Sequence, residues 1–507
     1  MYETIPQLLA GAAARDPDGI WLRTDEIELT FADAAAAVGA RAATLREHGI
    51  GRGELVVLTA RTTPQYLLAW LAVTSLGAIA VPTNPASTHA ELAGLLAQTQ
   101  PRLIVTDAEL RPLLDAAGTD VLDVDDLVGD AAEVPTGTAM PDDVAVLIPT
   151  SGTTGRSKLV MQTHRAYAMA GEGFPFWMEL TSADRLMTSL PLFHINAPAY
   201  SVLGSLACGA GLVLLPRFSA SGFLGSARRH GATEFNAIGA MLEILMRTPE
   251  RADDADNPLR ICYTGPAPER ERQLEIERRF GLRIVCGYAM SESPYGLIWP
   301  PGSRLFGTLG TLRQHPTLGI VNEARVVDDE GRDVGPGEPG ELLLRNPTVT
   351  SGYWGMPEQT AATISRDGWL RTGDLVTRDT AGVYTFIARK KDVLRRRGEN
   401  LSPAEVEEVI EAHPSIVECA VVGVASELSE QEIKAFVVTV GSADFDALRR
   451  WTAERLTPFK VPRYWQRLDA LPRTPTQRVA KHKLPADHTD EEYDAEYVPV
   501  SERGATP

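Results

Sequence analysis

The chain has 507 residues, more than one hydrophobic core usually organises, so several domains or subdomains are expected. Its apolar share of 44% and charged share of 23% are those of an ordinary globular protein. A formal net charge of −18 argues against a general binder of nucleic acid or anionic membranes, so any polyanionic ligand requires a local basic site.

Membrane and export signals are absent from the sequence. No apolar run is long enough to span a bilayer, and the first residues lack the basic-then-apolar order of a signal peptide. Four cysteines show no C-x-x-C spacing, so neither a disulfide framework nor a zinc site is indicated: Cys208, Cys262, Cys286 and Cys419. We expect a cytosolic protein with no membrane partner, whose thiols are buried and reduced.

The first part of the chain alternates strand-like and helix-like segments. Residues 54–58 and 77–82 read as buried strands on either side of a helix at 66–76. Further strand-like runs lie at 186–190, 211–215, 260–264 and 283–285. This alternation predicts wound, mostly parallel α/β sheets.

A loop rich in glycine and hydroxyl groups follows the strand-like run at 144–148. It comprises Thr150, Ser151, Gly152, Thr153, Thr154, Gly155, Arg156, Ser157 and Lys158. Glycines let the backbone approach a phosphate closely. Hydroxyl and backbone amide groups can then hydrogen bond to the phosphate oxygens, and a cation offsets the phosphate charge. The Walker spacing is absent, and an ordinary flexible connection is the alternative to a phosphate loop.

The second part of the chain has a different pattern of predicted secondary structure. From about residue 322, strand-like runs at 324–327 and 341–345 alternate with turns and predict an antiparallel β subdomain. After a basic run at 390–397, a helix that begins near Pro403 and a strand at 417–424 predict a small α+β domain over 392–485. The acidic tail 486–507 is expected to be loose.

Six further motifs follow the 150–158 loop in a fixed order. They are Pro-Leu-Phe-His at 191–194, Gly-Tyr-Ala-Met-Ser-Glu at 287–292, Gly-Tyr-Trp at 352–354, Trp-Leu-Arg-Thr-Gly-Asp at 369–374, Arg-Lys-Lys-Asp at 389–392 and Leu-Pro-Arg-Thr-Pro at 471–475. Together they resemble the adenylate-forming superfamily of acyl- and aryl-CoA synthetases, peptide-synthetase adenylation domains and beetle luciferases. The resemblance covers residues 5–485 and is closest to the acyl-CoA ligases.

This resemblance implies an α/β fold with a large N-terminal domain and a small mobile C-terminal domain. The first, residues 1–390, would contain two wound α/β subdomains and a β-barrel-like subdomain. The second, residues 392–485, would be an α+β domain that rotates about a hinge at Lys391. The implied reaction has two halves: a carboxylate attacks the α-phosphate of ATP, giving an acyl-adenylate and pyrophosphate, and a nucleophile, commonly the thiol of CoA, then displaces AMP.

The same resemblance assigns nucleotide and catalytic roles. Thr150, Ser151, Gly152, Thr153, Thr154, Gly155 and Lys158 would hold the phosphates, and Glu292, beside Ser291 in the same cofactor-binding motif, would bind Mg²⁺. Tyr288 would stack on adenine, Asp374 would accept the ribose hydroxyls, and Arg389 would lie at the ribose–phosphate side. Gly398 would let the pantetheine arm of CoA pass. The catalytic set is Lys158, His194, Glu292 and Arg478.

The resemblance also points to an acid pocket. His194 matches an aromatic position that lines this pocket, with a satisfied core histidine as the alternative reading. The other candidates for pocket walls are Asn196, Asn236, Gly265, Ala267, Gly287 and Tyr295. Several of these residues can hydrogen bond, and a compact polar pocket suits a small or aromatic acid. Tyr353 and Trp354 are interpreted as packing residues.

Two positions depart from the family pattern. Arg478 stands where the last motif usually carries a lysine that bridges the carboxylate and the α-phosphate. Three explanations are open. Arg478 does the same work more slowly, or Lys481 or Lys483 takes the place of the usual lysine, or the activated anion differs in shape from an ordinary carboxylate. The segment 425–430 is shorter than the loop that the family usually has near the surface used for transfer to CoA. This difference argues against the CoA step, whereas Gly398 argues for it.

Three functions are therefore compared. The first is an AMP-forming ligase that joins a small or aryl carboxylate to CoA. The second is a diazo-forming enzyme of secondary metabolism that adenylates nitrite and passes it to an arylamine. The third is a non-catalytic nucleotide-binding homologue, against which the retention of Lys158, Glu292, Asp374 and Arg389 argues.

Overall fold

The computed structural model describes residues 2–114, 118–130, 132–150, 158–265, 267–390, 394–396, 399–425, 431–456, 460–473, 479–485, 489 and 492–495. Backbone contacts divide the chain into two compact units. Unit 1 comprises Met1–Glu338, Leu342–Thr372 and Arg378–Thr385. Unit 2 comprises Pro339–Glu341, Gly373–Thr377 and Phe386–Pro507. The predicted hinge at Lys391 and the domain boundary beside it lie outside the described residues.

Helices and strands alternate through most of unit 1. The described helices are α1 (Ile5–Arg15), α2 (Phe31–Glu47), α3 (Pro64–Ser75), α4 (His89–Thr99), α5 (His164–Met178), α6 (Leu203–Cys208), α7 (Phe223–His230), α8 (Gly239–Met246), α9 (Arg270–Phe280), α10 (Pro357–Thr363), α11 (Pro403–Glu411) and α12 (Phe445–Ala453). A π-helical turn at Ala197–Val202 precedes α6, and short 3₁₀ turns lie at Arg111–Leu114, Val124–Asp126 and Lys481–Lys483.

The strands form five sheets within the described ranges. They are β1 (Ile20–Arg23), β2 (Glu28–Thr30), β3 (Leu55–Thr59), β4 (Ile79–Pro82), β5 (Leu103–Thr106), β6 (Val121–Asp123), β7 (Val144–Thr150), β8 (Lys158–Thr163), β9 (Arg185–Thr188), β10 (Gly211–Leu214), β11 (Glu234–Ala237), β12 (Ile261–Thr264), β13 (Arg283–Met290), β14 (Ser293–Ile298), β15 (Thr311–Leu312), β16 (Glu323–Val327), β17 (Gly340–Arg345), β18 (Leu370–Arg378), β19 (Tyr384–Arg389), β20 (Leu394–Arg396), β21 (Glu399–Leu401), β22 (Ile416–Ala425), β23 (Gln431–Thr439), β24 (Tyr464–Arg467) and β25 (Tyr493–Asp494).

Two large sheets confirm the predicted wound α/β architecture. One has the order β6-β5-β3-β4-β7-β8 and is parallel up to β7, whereas β8 returns antiparallel to β7. The other has the order β15-β14-β13-β12-β11-β9-β10-β1-β2, with a parallel centre and antiparallel strands at both ends. Strands such as β4 and β5 are buried along their whole length, as expected where helices cover both faces of a sheet.

Local sequence determines where several helices begin. Thr30 accepts a hydrogen bond from the backbone N–H of Asp33, whose carboxylate accepts one from the backbone N–H of Thr30, a reciprocal cap at the start of α2. Thr88 and Glu91 repeat this arrangement at α4. At α3, Pro64 occupies the first helical position behind the capping residue Thr63. These caps satisfy backbone N–H groups that have no partner within the helix.

A four-stranded sheet, β16-β17-β18-β19, occupies the region predicted to be β-barrel-like. The α+β prediction for the C-terminal part is also confirmed, since unit 2 contains α11, α12, the ribbon β20-β21 and the sheet β22-β23-β24-β25. Apolar side chains from both helices and from this sheet form a separate core around Trp465. Unit 2 therefore has the hydrophobic interior of an independent folding unit.

Two sequence expectations need correction. The tail from residue 486 was expected to be loose, but Tyr493 and Asp494 form β25, which pairs antiparallel with Trp465 and Tyr464 of β24. The cysteines were expected to be buried, which holds for three of them, whereas Cys208 is only half-buried; all four are free thiols. No helix in the described part of the chain is both long and apolar enough to cross a bilayer.

Candidate functional site

The predicted metal-binding motif forms the tip of a tight β-hairpin. Met290 at the end of β13 pairs with Ser293 at the start of β14, so Ser291 and Glu292 are the two residues of the turn. The turn is held from two sides: the side-chain amide of Gln162 donates to the carbonyl of Ser291 at 2.6 Å, and the backbone N–H of Thr350 donates to the carbonyl of Glu292 at 2.8 Å. Glu292 therefore projects from an anchored turn.

The predicted phosphate loop connects two paired strands. Thr150, the last residue of β7, lies opposite Lys158, the first residue of β8, and its hydroxyl donates to the Lys158 carbonyl at 3.2 Å. Ser151, Gly152, Thr153, Thr154 and Gly155 lie outside the described residues. The Lys158 ammonium nitrogen lies 5.0 Å from the centre of the Tyr353 ring, within the range of a cation–π contact.

Tyr353 connects two predicted site residues that are far apart in sequence. Its hydroxyl donates a hydrogen bond to Oε1 of Glu292 at 2.9 Å, while its ring faces Lys158. The interpretation of Tyr353 as a packing residue is correct as far as burial goes, since only 5% of it is exposed, but it missed these two contacts. The Gly-Tyr-Trp motif was the available signal, although the motif alone does not reveal what the tyrosine touches.

Three of the predicted pocket positions lie at the carboxyl ends of adjacent parallel strands. Asn236 is in β11, Gly265 follows β12 and Gly287 is in β13. In open α/β sheets this edge is where ligands bind. The side-chain amide of Asn236 donates to Oδ1 of Asn196 at 2.6 Å, which joins this edge to the residue that precedes the π-helical turn.

Two glycines are required here by close approach. A Cβ at Gly265 would lie 2.3 Å from the carbonyl oxygen of Gly287, and a Cβ at Gly287 would lie 2.5 Å from the ring of Tyr263. Neither position therefore has room for a side chain. Ala267, two residues after Gly265, is half-buried and carries the smallest side chain.

The remaining aromatic candidates lie in different surroundings. His194 is half-buried, and its ring packs beside that of Phe193 with 4.4 Å between centroids. Tyr288 is half-buried at the end of the hairpin, with its hydroxyl 3.9 Å from the sulfur of Met290. Tyr295 is fully buried with its hydroxyl against Gly173 of α5, and burial raises the pKa of Tyr295 to about 12. Their substrate and adenine roles remain predictions.

A buried cation behind this edge was not predicted. Arg313 has no exposed surface and lies among three aromatic rings, those of Tyr200, Tyr263 and Tyr295, at 5.2 to 5.7 Å. It donates a hydrogen bond to the Tyr263 hydroxyl at 3.0 Å, and Tyr263 is the residue that packs on Gly287. No sequence motif contains Arg313, so only the fold reveals its place.

The predicted ribose-binding residues of unit 2 also meet. Asp374 is fully buried, and its Oδ1 forms an ion pair with Nε of Arg389 at 2.7 Å. Next to Arg389, Lys390 forms an ion pair with Glu341 at 3.3 Å. The pairing orients the buried carboxylate of Asp374 and offers it an opposite charge, because an isolated charge in that position would be costly.

Three predicted residues of the C-terminal part, Lys391, Gly398 and Arg478, lie outside the described residues. Near the last of these, Arg473 and Val479 form an antiparallel bridge. Lys481, one of the two proposed substitutes for the usual lysine, forms an ion pair with Glu407 at 2.6 Å. Lys483, the other, is exposed.

Glu292 does not belong to a metal-binding cluster of side chains among the described residues. In the described part of the chain, no three His, Cys, Asp or Glu side chains lie close enough to hold a metal by themselves. A single carboxylate at an anchored turn is the arrangement that suits Mg²⁺ bound mainly through nucleotide phosphates. The residues present therefore fit a magnesium–nucleotide complex better than a metal site made only of protein groups.

Comparison with known proteins shows the family to which the chain belongs. Residues 9–354 match the family described as AMP-binding enzyme, and residues 405–478 match the AMP-binding enzyme C-terminal domain. The chain is 32% identical to sulfoacetate–CoA ligase of Cupriavidus necator over 96% of this chain and 98% of that protein. It is 32% identical to crotonobetaine/carnitine–CoA ligase of Escherichia coli, over 86% and 89%.

A solved structure is similar over almost the full length. The o-succinylbenzoate CoA synthetase of Bacillus subtilis, in complex with its acyl-adenylate intermediate, superposes with a TM-score of 0.86 at 28% identity and covers 96% of this chain and 99% of that chain. The same synthetase with ATP and a magnesium ion gives a TM-score of 0.83 at 28% identity, over 94% and 99%. The fold is thus that of an enzyme with a large N-terminal domain and a smaller C-terminal domain.

Proposed function

The chain belongs to the AMP-binding enzyme family and is an AMP-forming acid–thiol ligase, and we propose that its acid is a small polar or aromatic carboxylate, which it adenylates with Mg·ATP and transfers to CoA. Both halves of this reaction bring anions together. Charge neutralisation and alignment must therefore supply most of the rate enhancement.

One observation carries the proposal: Lys158 and Glu292 contact the same tyrosine, Tyr353. Lys158 comes from the six-stranded sheet and Glu292 from the nine-stranded sheet. A phosphate-binding cation and a magnesium-binding carboxylate are useful together only if both reach one triphosphate. In the proposed roles, Lys158 neutralises the departing pyrophosphate and Glu292 contributes one oxygen ligand to Mg²⁺, which, when bound, screens phosphate charge.

The other nucleotide contacts are proposed from the motifs. The loop from Thr150 would surround the β- and γ-phosphates, and Tyr288 would stack on adenine. In unit 2, the Asp374–Arg389 pair offers a carboxylate to the ribose hydroxyls and a guanidinium to the phosphate side. Lys391 would act as the hinge between the two half-reactions, Gly398 would admit the pantetheine arm, and Arg478 would bridge the carboxylate and the α-phosphate.

The size and polarity of the acid are inferred from the edge of the nine-stranded sheet. The hydrogen-bonded Asn196–Asn236 pair can bind polar substituents, and the lack of side chains at Gly265 and Gly287 lets these two residues and Tyr263 pack closely at the same edge. The Tyr263 hydroxyl is bonded to the buried Arg313 guanidinium, whose charge favours a substrate with an additional anionic group. The sulfoacetate–CoA ligase relative is named for an acid of this kind.

CoA is the acceptor that the comparisons support, because the relatives described above are CoA ligases. None of these relatives is named for nitrite or for an amine acceptor. The retention of Lys158, Glu292, Asp374 and Arg389 argues against a non-catalytic homologue. Neither alternative function is therefore developed further.

The test is AMP and thioester formation from Mg·ATP and CoA with a panel of acids. The panel pairs small acids that carry a second anionic group, such as sulfoacetate, with neutral acids of similar size, aryl acids and one long-chain acid. We expect AMP and acyl-CoA in equal amounts with at least one small polar or aryl acid. Turnover with the long-chain acid alone would refute the proposed substrate class, and AMP formation without thioester would refute the proposed acceptor.

A further inference from the structure

The segment that carries Tyr353 is fixed against the strand that carries Lys158. The backbone N–H of Met161 donates to the carbonyl of Gly352 at 2.9 Å, and the N–H of Trp354 donates to the carbonyl of Leu159 at 2.9 Å. Val160 and Tyr353 form an antiparallel bridge between these bonds. Residues 351–354 thus extend the sheet beyond β8, which holds the backbone of Tyr353 against the strand that begins at Lys158.

The same segment also holds the hairpin turn of Glu292. The N–H of Thr350 donates to the Glu292 carbonyl, and the Tyr353 hydroxyl donates to the Glu292 carboxylate at 2.9 Å. The backbone N–H of Tyr353 itself donates to the hydroxyl of Thr360 at 2.9 Å.

Lys158 and Glu292 carry opposite charges and both contact Tyr353, but they do not pair with each other. Among the described residues, neither Lys158 nor Glu292 takes part in an ion pair. Lys158 is instead held by the face of the Tyr353 ring and Glu292 by its hydroxyl. A direct lysine–glutamate pair would neutralise the two groups that the ATP reaction requires, whereas the tyrosine holds both and leaves their charges available.

We infer that Tyr353 is a positioning residue that orients the Glu292 carboxylate toward magnesium and holds the Lys158 ammonium toward phosphate. This inference rests on the proposed adenylation at the same site. It assigns to the tyrosine of the Gly-Tyr-Trp motif two separable tasks, one for its hydroxyl and one for its ring. Replacing a residue that orients a metal ligand without touching the metal typically lowers metal affinity or activity by about 10- to 100-fold.

Two substitutions separate the tasks. Tyr353→Phe keeps the ring and removes the hydrogen bond, so we expect the magnesium concentration for half-maximal ATP–pyrophosphate exchange to rise about 10-fold, with little change in ATP affinity without magnesium. Tyr353→Leu also removes the ring, and we expect it to weaken ATP binding in the absence of magnesium as well. Binding is measured by calorimetry with ATP, with and without Mg²⁺, which does not depend on turnover.

Two controls make the result specific. Trp354→Phe changes the next residue of the same segment and should leave the magnesium requirement unchanged, and melting temperatures report any general loss of packing. In a Glu292→Gln background, Tyr353→Phe should have little additional effect, because the orientation it provides has already lost its target. A Tyr353→Phe enzyme with wild-type exchange rate and magnesium requirement would overturn the inference. Absence of exchange in the unmodified protein would instead refute the proposed function.

Discussion

Arg478 is the residue whose chemistry differs most from the motif pattern. Lysine offers a compact point charge, whereas arginine offers a planar fork that matches two oxygens at fixed spacing. In the proposed role of bridging a carboxylate and an α-phosphate, the fork would contact one oxygen of each, but it would need more room than a lysine. The ion pair of Lys481 with Glu407 gives that lysine a structural task, which leaves Arg478 and the exposed Lys483 as the candidates for the bridging cation.

The first prediction concerns this position. Arg478→Lys should preserve adenylation within about 10-fold if the site requires only a cation, since the charge is kept and the size falls. A loss well beyond 100-fold would show that the fork geometry is essential. The measurement is ATP–pyrophosphate exchange, which reports the first half-reaction alone. Lys481→Gln is the matched comparison: it should lower the melting temperature by breaking the pair with Glu407 but should keep the exchange rate near that of the unmodified protein.

Among the elements, helices α1 and α5 are joined by a buried histidine. His164 is the first residue of α5 and has no exposed surface, and its Nδ1 accepts a hydrogen bond of 3.4 Å from the backbone N–H of Ile5 at the start of α1. That bond requires the neutral ring, and burial lowers the pKa of His164 to about 4. The junction between these helices is therefore sensitive to acid.

The second prediction follows from this pKa shift. In the unfolded chain histidine has its ordinary pKa of about 6.5, so between pH 6.5 and 4 the unfolded state binds a proton that the folded state does not. Stability should fall as the pH drops through this window and should not depend on His164 above it. By pH 5 the loss should reach about 2 kcal/mol.

Urea unfolding at a series of pH values tests this prediction. His164→Gln removes the titrating ring and retains an oxygen that can accept from Ile5, so its free energy of unfolding should fall less steeply between pH 7 and pH 5. Buried carboxyl groups such as Glu234, whose pKa is raised by burial, affect both proteins equally and cancel in the difference. Parallel curves for the two proteins would contradict the prediction.

Elements with strong local signals were predicted well, and those made by tertiary contacts were not. The strand at 260–264 is found as Ile261–Thr264, because its apolar run and boundaries are local features. The strand at 283–285 extends to Met290 and turns into β14, and its Ser291-Glu292 turn lacks the glycine or asparagine that marks most tight hairpins. Strand β25 exists only because β24 offers it an edge.

The candidate site shows the same division between sequence and fold. Lys158 and Glu292 could be named from their motifs, since the residue types and their order are visible in the sequence. Their common contact with Tyr353 could not, because it depends on how β8, the hairpin turn and residues 350–354 pack together. Arg313 gave no signal, because a lone arginine in sequence is more often exposed than buried among aromatic rings.

At the scale of the whole molecule, the two units have separate hydrophobic cores, so each can lose stability by itself. Unit 2 depends on the far end of the chain. Lys434 of β23 has no exposed surface and forms an ion pair with Glu492 at 2.7 Å, while Arg463 pairs with Asp494 at 2.9 Å. Both carboxylates lie in the tail, beyond residue 485.

The third prediction is that residues 492–495 of the tail stabilise unit 2. Deleting residues 486–507 removes Glu492 and Asp494 together with β25, so the buried Lys434–Glu492 ion pair is lost and the edge of β24 is uncovered. Breaking a buried pair typically costs about 3–5 kcal/mol, so calorimetry should show unit 2 melting earlier, apart from unit 1. Deleting only residues 496–507 retains β25 and both ion pairs, so unit 2 of this variant should melt at a higher temperature than unit 2 of the longer deletion. Glu492→Gln, which keeps the strand and removes one charge, should fall between the two deletions. Equal melting of the two deletions would mean that β25 contributes nothing to unit 2.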